Sequence, residues 1–327
     1  MKRSFYLVLG LESLLMVLAW TGSARAYEVT GDVIPGWGTT GGSLWYEVLK
    51  ETATSSDGGY DGAVIRGVIA RPPTTRDLPN PLSPTDHNWI EVDYILVNGR
   101  DGQRVLYSVG ELDPRFGNVP VALTCDKVGR CDLAGGGRRV RNVSKIEVVH
   151  AFTNIKNVPN AVHPYSPWLV VSGAGISPRT FSLTDLRATT LEQASFDASS
   201  STSDIKGIWT GPTLRSVLKA SGVDDRDSES LDSYIVVQAS DGYATLLSMY
   251  EATRLTGPQY ALLGIADTLN STLNNGTCTD PESAGTKCKD SGAARLVLPG
   301  NFAAGRWPSN VAHIVVYKLE KGKDRRR

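Results

Sequence analysis

The chain has 327 residues, with 34 Lys plus Arg against 34 Asp plus Glu, so its formal net charge is zero. Hydrophobic residues make up 41% and charged residues 21%, which is too apolar and too weakly charged for a disordered chain. No basic excess marks a nucleic-acid binder, and at roughly 100–200 residues per domain the length predicts two domains.

Lys2 and Arg3 precede an apolar run from Phe5 to Trp20, interrupted by small or polar residues and Glu12. The run ends at Ala24-Arg25-Ala26, the small-x-small form of a signal-peptidase site. Residues 1–26 therefore read as a secretory signal peptide cleaved before Tyr27, and the destination as periplasmic or extracellular. The run is short for a hydrocarbon core of about 30 Å, and no later stretch reaches about 20 uninterrupted apolar residues. No membrane span is expected after cleavage. Cleavage removes three basic residues and one acidic residue, leaving 34 − 3 = 31 against 34 − 1 = 33, a net charge of −2.

The following segment, residues 27–153, reads as a first domain. Val29-Thr30-Gly31 begins a short strand, and Ser43 to Lys50 has apolar residues at helical spacing. Residues 71–88 carry Pro72, Pro73, Pro79, Pro81 and Pro84, a pattern of extended loop. A hairpin follows from Tyr94, turning at Asp101-Gly102, where φ > 0 is tolerated. Cys125 and Cys131 bracket a polar turn, and Asn142-Val143 leads into a closing strand. Residues 154–167, rich in Pro and Asn, read as a linker.

Residues 168–320 read as a second domain, with residues 321–327 a basic tail. Val171-Ser172-Gly173 forms its first strand, Ser182-Leu183-Thr184-Asp185-Leu186 begins a helix, and Ser195 to Asp204 reads as a Ser-rich polar loop. Leu214, Val217 and Leu218 mark the apolar face of a helix ending near Ser221-Gly222. A hairpin runs from Tyr234 to Gln238, turns at Asp241-Gly242, and returns from Tyr243 to Met249. The closing strand, Ile314 to Tyr317, alternates weakly and is expected to be buried on both faces.

The two segments repeat each other. Residues 94–117 laid on 234–257 at an offset of 140 give nine identities in 24 positions without a gap, Ser108/Ser248 and Glu111/Glu251 among them. Asn142-Val143-x-x-Ile146-x-Val148 likewise mirrors Asn310-Val311-x-x-Ile314-x-Val316. The expectation is two tandem copies of one domain, of α+β class and largely β.

Four cysteines allow three pairings. Local pairing, Cys125 with Cys131 and Cys278 with Cys288, closes two turn-like loops and suits an exported chain. A zinc site is the alternative, although neither pair has C-x2–4-C spacing. His87, His150, His163 and His313 show no metal-ligand spacing, and Ser216-x-x-Lys219 lacks the companion motifs of a serine nucleophile.

In the second segment Trp209-Thr210-Gly211-Pro212-Thr213-Leu214, Ala239-Ser240-Asp241-Gly242-Tyr243 and Arg295-Leu296-Val297-Leu298-Pro299-Gly300 follow in order. With Ser182 to Leu186, this series resembles the molybdopterin-binding domain of the sulfite oxidase family. The resemblance covers residues 168–319 and, through the repeat, extends weakly to 27–150. It implies a mixed, largely β fold and a cofactor-facing side in the second copy carrying Tyr243, Arg295, Asn301 and Arg306. There a forked guanidinium is suited to an oxyanion. The family's molybdenum-ligating cysteine would fall between Thr190 and Ile208, where this chain has serines and no cysteine. The expected function is therefore a non-catalytic module binding a small anion or a protein partner. The alternatives are a molybdopterin-dependent oxidoreductase and a structural envelope component.

Overall fold

A computed structural model describes residues 28–31, 52–54, 61–64, 93–112, 116–117, 119–125, 130–151, 166–189, 191–199, 204–223, 231–240, 242–253, 261–267, 292–301 and 304–319. The first half contains strands β1 (Glu28–Gly31), β2 (Thr52–Thr54), β3 (Asp61–Val64), β4 (Asp93–Gly99) and β5 (Arg104–Ser108). Helix α1 (Val109–Leu112) follows, then β6 (Val121–Cys125), β7 (Cys131–Gly135), β8 (Arg138–Val140) and β9 (Val143–His150). The second half opens with β10 (Trp168–Gly173), β11 (Ile176–Ser182), α2 (Leu183–Ala188), β12 (Leu191–Ser199), β13 (Asp204–Pro212) and α3 (Leu214–Ala220). It continues through β14 (Ser233–Ala239), β15 (Ala244–Ser248), α4 (Met249–Thr253), β16 (Leu262–Gly264), β17 (Ala266–Asp267), β18 (Arg295–Val297) and β19 (Val311–Lys318). The described architecture is largely β with short helices.

One mixed sheet dominates each half, ordered β1-β9-β4-β5 in the first and β11-β10-β19-β14-β15 in the second. In both, an antiparallel hairpin pairs through its first strand with the closing strand, and the closing strand runs parallel to the opening one. The registers correspond as well. Tyr94 faces Ser108 as Tyr234 faces Ser248, and Val97 faces Ile146 as Val237 faces Ile314. Each closing strand follows an Asn at positive φ, Asn142 at 50° and Asn310 at 52°, beside a bulge in the facing strand. Asn is among the few side chains that enter this region readily, because its short amide bonds locally.

The helices form where the sequence supplies caps. Ser182 caps α2 and shares a reciprocal capping box with Asp185, whose carboxyl is held below its ordinary value by hydrogen bonds from the Ser182 side chain and backbone. Thr213 caps α3, which buries Leu214, Val217 and Leu218 and ends at Ser221, before Gly222 at φ +89°. Ser216 bonds Thr213, and Lys219 is exposed, so the Ser-x-x-Lys pattern is helix surface. The core of this half packs α3 on Leu169, Val171, Ile235, Val237 and Ile314. At about 1.5–3 kcal/mol for each fully buried aliphatic side chain, this face holds the helix in place.

A smaller apolar cluster joins the halves. Tyr94, Leu96 and Leu106 pack with Tyr234, Val236, Ala244 and Leu246. The Tyr94 and Tyr234 rings stack at 5.0 Å, and Tyr317 stacks on Tyr234 at 4.8 Å. Residues related by the offset of 140 thus meet each other, as in an isologous contact across a twofold axis.

Three expectations need correction. Residues 195–199 lie in β12 and residue 204 begins β13, so most of the expected Ser-rich loop is a nine-residue ladder running from Leu191↔Pro212 to Ser199↔Asp204. Strand β19 buries only one face, because the other half covers β14 and β15 rather than β19. Arg306, expected on a cofactor-facing side with its fork free for an oxyanion, is 0% exposed, and the neighbouring Trp307 is 3% exposed. The expected leader, the helix over residues 43–50, the Pro-rich loop, Cys278, Cys288, His87, His163 and the basic tail lie outside the described residues, as does nearly all of the linker. Cys125 stands directly opposite Cys131 in the β6–β7 ladder, and Cys131 is buried.

Candidate functional site

Among the described residues, the most heavily charged buried region lies where the two halves meet. Each hairpin ends in Ser-x-x-Glu, a capping-box sequence at a strand-to-helix junction. Glu111 and Glu251 each donate their backbone N–H to the serine hydroxyl three residues earlier, and Ser108 N–H donates back to Glu111 Oε1 at 2.8 Å. Both carboxylates therefore sit at the start of a short helix, facing inward. An arginine reaches each of them from a position four residues before the positive-φ asparagine: Arg138 before Asn142, and Arg306 before Asn310.

The two pairs are built alike. Arg138 donates to Glu111 at 2.6 and 3.1 Å and to Leu106 O at 2.9 Å. Arg306 donates to Glu251 at 2.7 and 2.9 Å and to Leu246 O at 2.9 Å. Serines link the halves. Ser108 Oγ donates to Glu251 at 2.8 Å and accepts from Arg306 at 3.2 Å, while Ser248 Oγ accepts from Arg138 at 3.1 Å. All six residues are 5% exposed or less. Two forked cation–carboxylate pairs are therefore enclosed without net charge. Burial raises the Glu111 carboxyl above its ordinary value, against the Arg138 guanidinium, which lowers it.

The pairs differ in what packs on the guanidinium. Arg138 lies between the rings of Tyr107 and Tyr250, 3.9 and 4.6 Å from their centroids. Arg306 instead lies against Gly110, where a Cβ would come within 2.3–2.6 Å of its Nε, Cδ and Cζ. Gly110 and Tyr250 correspond at the sequence offset of 140, so one half makes room for the arginine where the other covers it with an aromatic face.

Ser108 Oγ is fully enclosed and donates its proton to Glu251, so it offers no reachable nucleophile. The arrangement is suited to holding two sheets in one orientation. Among the described residues, no group of three or more His, Cys, Asp or Glu is placed to hold a metal ion.

The four residues expected on a ligand-facing side gather around the segment 301–307. Asn301 Oδ1 accepts from Arg306 at 3.3 Å, Tyr243 donates to Gly305 O, and Arg295 Nε donates to Trp307 O at 3.3 Å. Arg306 and Asn301 are buried, while Tyr243 and Arg295 are half-buried. These donors do not fit a molybdopterin centre: no thiolate lies between Thr190 and Ile208, and the Arg306 fork is closed on Glu251. His313 is an exposed strand position, and His150 lies in β9.

The sequence reading missed Arg138 altogether and gave Arg306 the wrong surroundings. Its available signal was the closing-strand repeat, which carries an arginine four residues before each asparagine.

No protein-family model matches the chain. No curated protein matches it. Among solved structures the chain is similar to the sulfane dehydrogenase SoxCD from Paracoccus pantotrophus, at 14% sequence identity and a TM-score of 0.35. The match covers 53% of this chain and 42% of that one, so this chain spans less than half the length of that structure's chain. A likeness that distant carries no functional argument.

Proposed function

We propose that the protein is an exported, non-catalytic binding module made of two copies of one domain, 27–153 and 168–320, joined by 154–167. In this reading residues 1–26 are a cleaved leader, 321–327 are a basic tail, and the copies have the sulfite oxidase fold without its molybdenum ligand. Cys125–Cys131 and Cys278–Cys288 form local disulfides; the direct register of the first pair supports that bridge.

The observation that carries the non-catalytic reading is the closed fork of Arg306 on Glu251. In a ligand-binding copy this guanidinium would face an anion; here a carboxylate of the same chain takes both of its parallel hydrogen bonds. The reading accordingly favours a protein partner over a small anion. The test is metal and pterin analysis of protein purified from its native host. Molybdenum and pterin at background level are expected. Near-stoichiometric molybdenum or tungsten with an extractable pterin would overturn the proposal in favour of an oxidoreductase.

A further inference from the structure

The sheet face that joins the halves does not end where the first half stops covering it. In β10, Leu169 and Val171 point into the core, which places Trp168 and Val170 on the opposite face. In β19, Ile314 and Val316 point into the core, which places His313, Val315 and Tyr317 opposite. The ladder pairs Val170 with His313, Val236 with Val315, and Tyr234 with Tyr317. The strip is thus one face, continuous with the Tyr234 and Val236 side chains that pack against the first half. Trp168 is 55% exposed and Tyr317 38%, and these are the exposed large hydrophobics among the described residues. On the first half's sheet the corresponding strand β9 presents Lys145 ion-paired with Glu147, so that face is polar.

We propose that this strip, Trp168, Val170, Val315 and Tyr317, is an interaction surface for a second copy of the chain, two chains meeting across a twofold axis. The inference rests on the partner-binding reading and names the partner. Three observations select it. The covered part of the same face already meets a sheet of matching strand order, with equivalent residues opposed, as Tyr94 on Tyr234. The strip of Trp168, Val170, Val315 and Tyr317 carries no carboxylate or Lys/Arg side chain, so facing its own copy opposes no like charges. The secreted chain's formal net charge is only −2, from 34 − 3 = 31 basic against 34 − 1 = 33 acidic residues, which leaves little long-range repulsion between copies. An exposed aromatic on an otherwise apolar strip is the kind of residue on which association energy concentrates.

The mass of the full secreted chain, measured by sedimentation equilibrium across a concentration series, tests the proposal. The expected result is a reversible monomer–dimer equilibrium that Trp168→Lys and His313→Glu each weaken by about tenfold or more in Kd. At concentrations where the parent is monomeric both variants should keep its melting temperature, because both side chains are exposed. Thr184→Lys, on the exposed surface of α2, should leave the dimer unchanged. A chain that stays monomeric throughout, or a dimer that survives both substitutions, overturns the second copy as partner. A monomer free of molybdenum refutes this inference alone, whereas stoichiometric molybdenum refutes the binding-module reading beneath it.

Discussion

Replacing Arg306 by Met removes one member of a fully buried pair and leaves the buried Glu251 carboxylate with the Ser108 hydroxyl but without its guanidinium fork. Glu251 then loses hydrogen bonds of 2.7 and 2.9 Å, while Leu246 O, Asn301 Oδ1 and Ser108 Oγ each lose a donor. Breaking a buried pair from one side costs about 3–5 kcal/mol, because the remaining ion keeps its desolvation penalty without its partner. At about 2–4 °C per kcal/mol for a chain of this size class, the melting temperature should fall by about 6–20 °C. The double variant Arg306→Met/Glu251→Leu removes both charges from a 0%/4% exposed site and should recover most of that loss. Calorimetry supplies the melting temperatures, and urea titration of the parent, Arg306→Met, Glu251→Leu and the double variant gives the coupling energy. A single variant that costs less than about 1 kcal/mol, the range of an exposed pair, would refute the claim that the cluster is closed to water. So would a double variant no more stable than the single one.

Gly110→Ala should destabilise by about 1–3 kcal/mol in urea titration, since its Cβ would sit 2.3 Å from Arg306 Nε and the buried guanidinium cannot swing aside. Ser108→Ala should cost about 1–3 kcal/mol by the same measurement, leaving Glu251 and Arg306 each short of one bond across the halves. Asp132 is held below its ordinary value by the Asn142 N–H and Arg139. Its contribution is therefore present above the unfolded pKa of about 3.9 and is lost as pH falls through the lower folded value. Asp132→Asn should accordingly flatten the decline of melting temperature between neutral and acid pH, and an unchanged slope would refute that assignment. Cys125→Ser should lower stability by about 2 kcal/mol if the short loop is cross-linked, and non-reducing peptide mapping should recover the Cys125–Cys131 peptide from the parent protein alone.

Local order was largely legible in the residues. The α3 face of Leu214, Val217 and Leu218, its stop at Ser221-Gly222, and the hairpins from Tyr94 and Tyr234 follow from periodicity, caps and Asp-Gly turns, all short-range properties of the chain. The offset of 140 even singled out Ser108/Ser248 and Glu111/Glu251 as matched residues. What these residues do was not legible, because a capping-box glutamate on a lone helix faces water and needs no arginine. Arg306 illustrates the difficulty most directly: from sequence it is an arginine on a loop beside a presumed ligand face, and only its 0% exposure reveals an internal pair.

By itself, then, the sequence determined the starts of α2 and α3, the two hairpins, the repeated pattern, and the absence of a thiolate between Thr190 and Ile208. Tertiary structure alone decided which faces are covered. It turned Arg138 and Arg306 inward, set Tyr94 on Tyr234, and left Trp168 and Tyr317 open on the same sheet face. The physical reason is that periodicity assigns a side chain to one side of an element, whereas burial depends on which distant segment arrives there. For β19 that segment stops at β14, and this limit separates a closed core from an open surface.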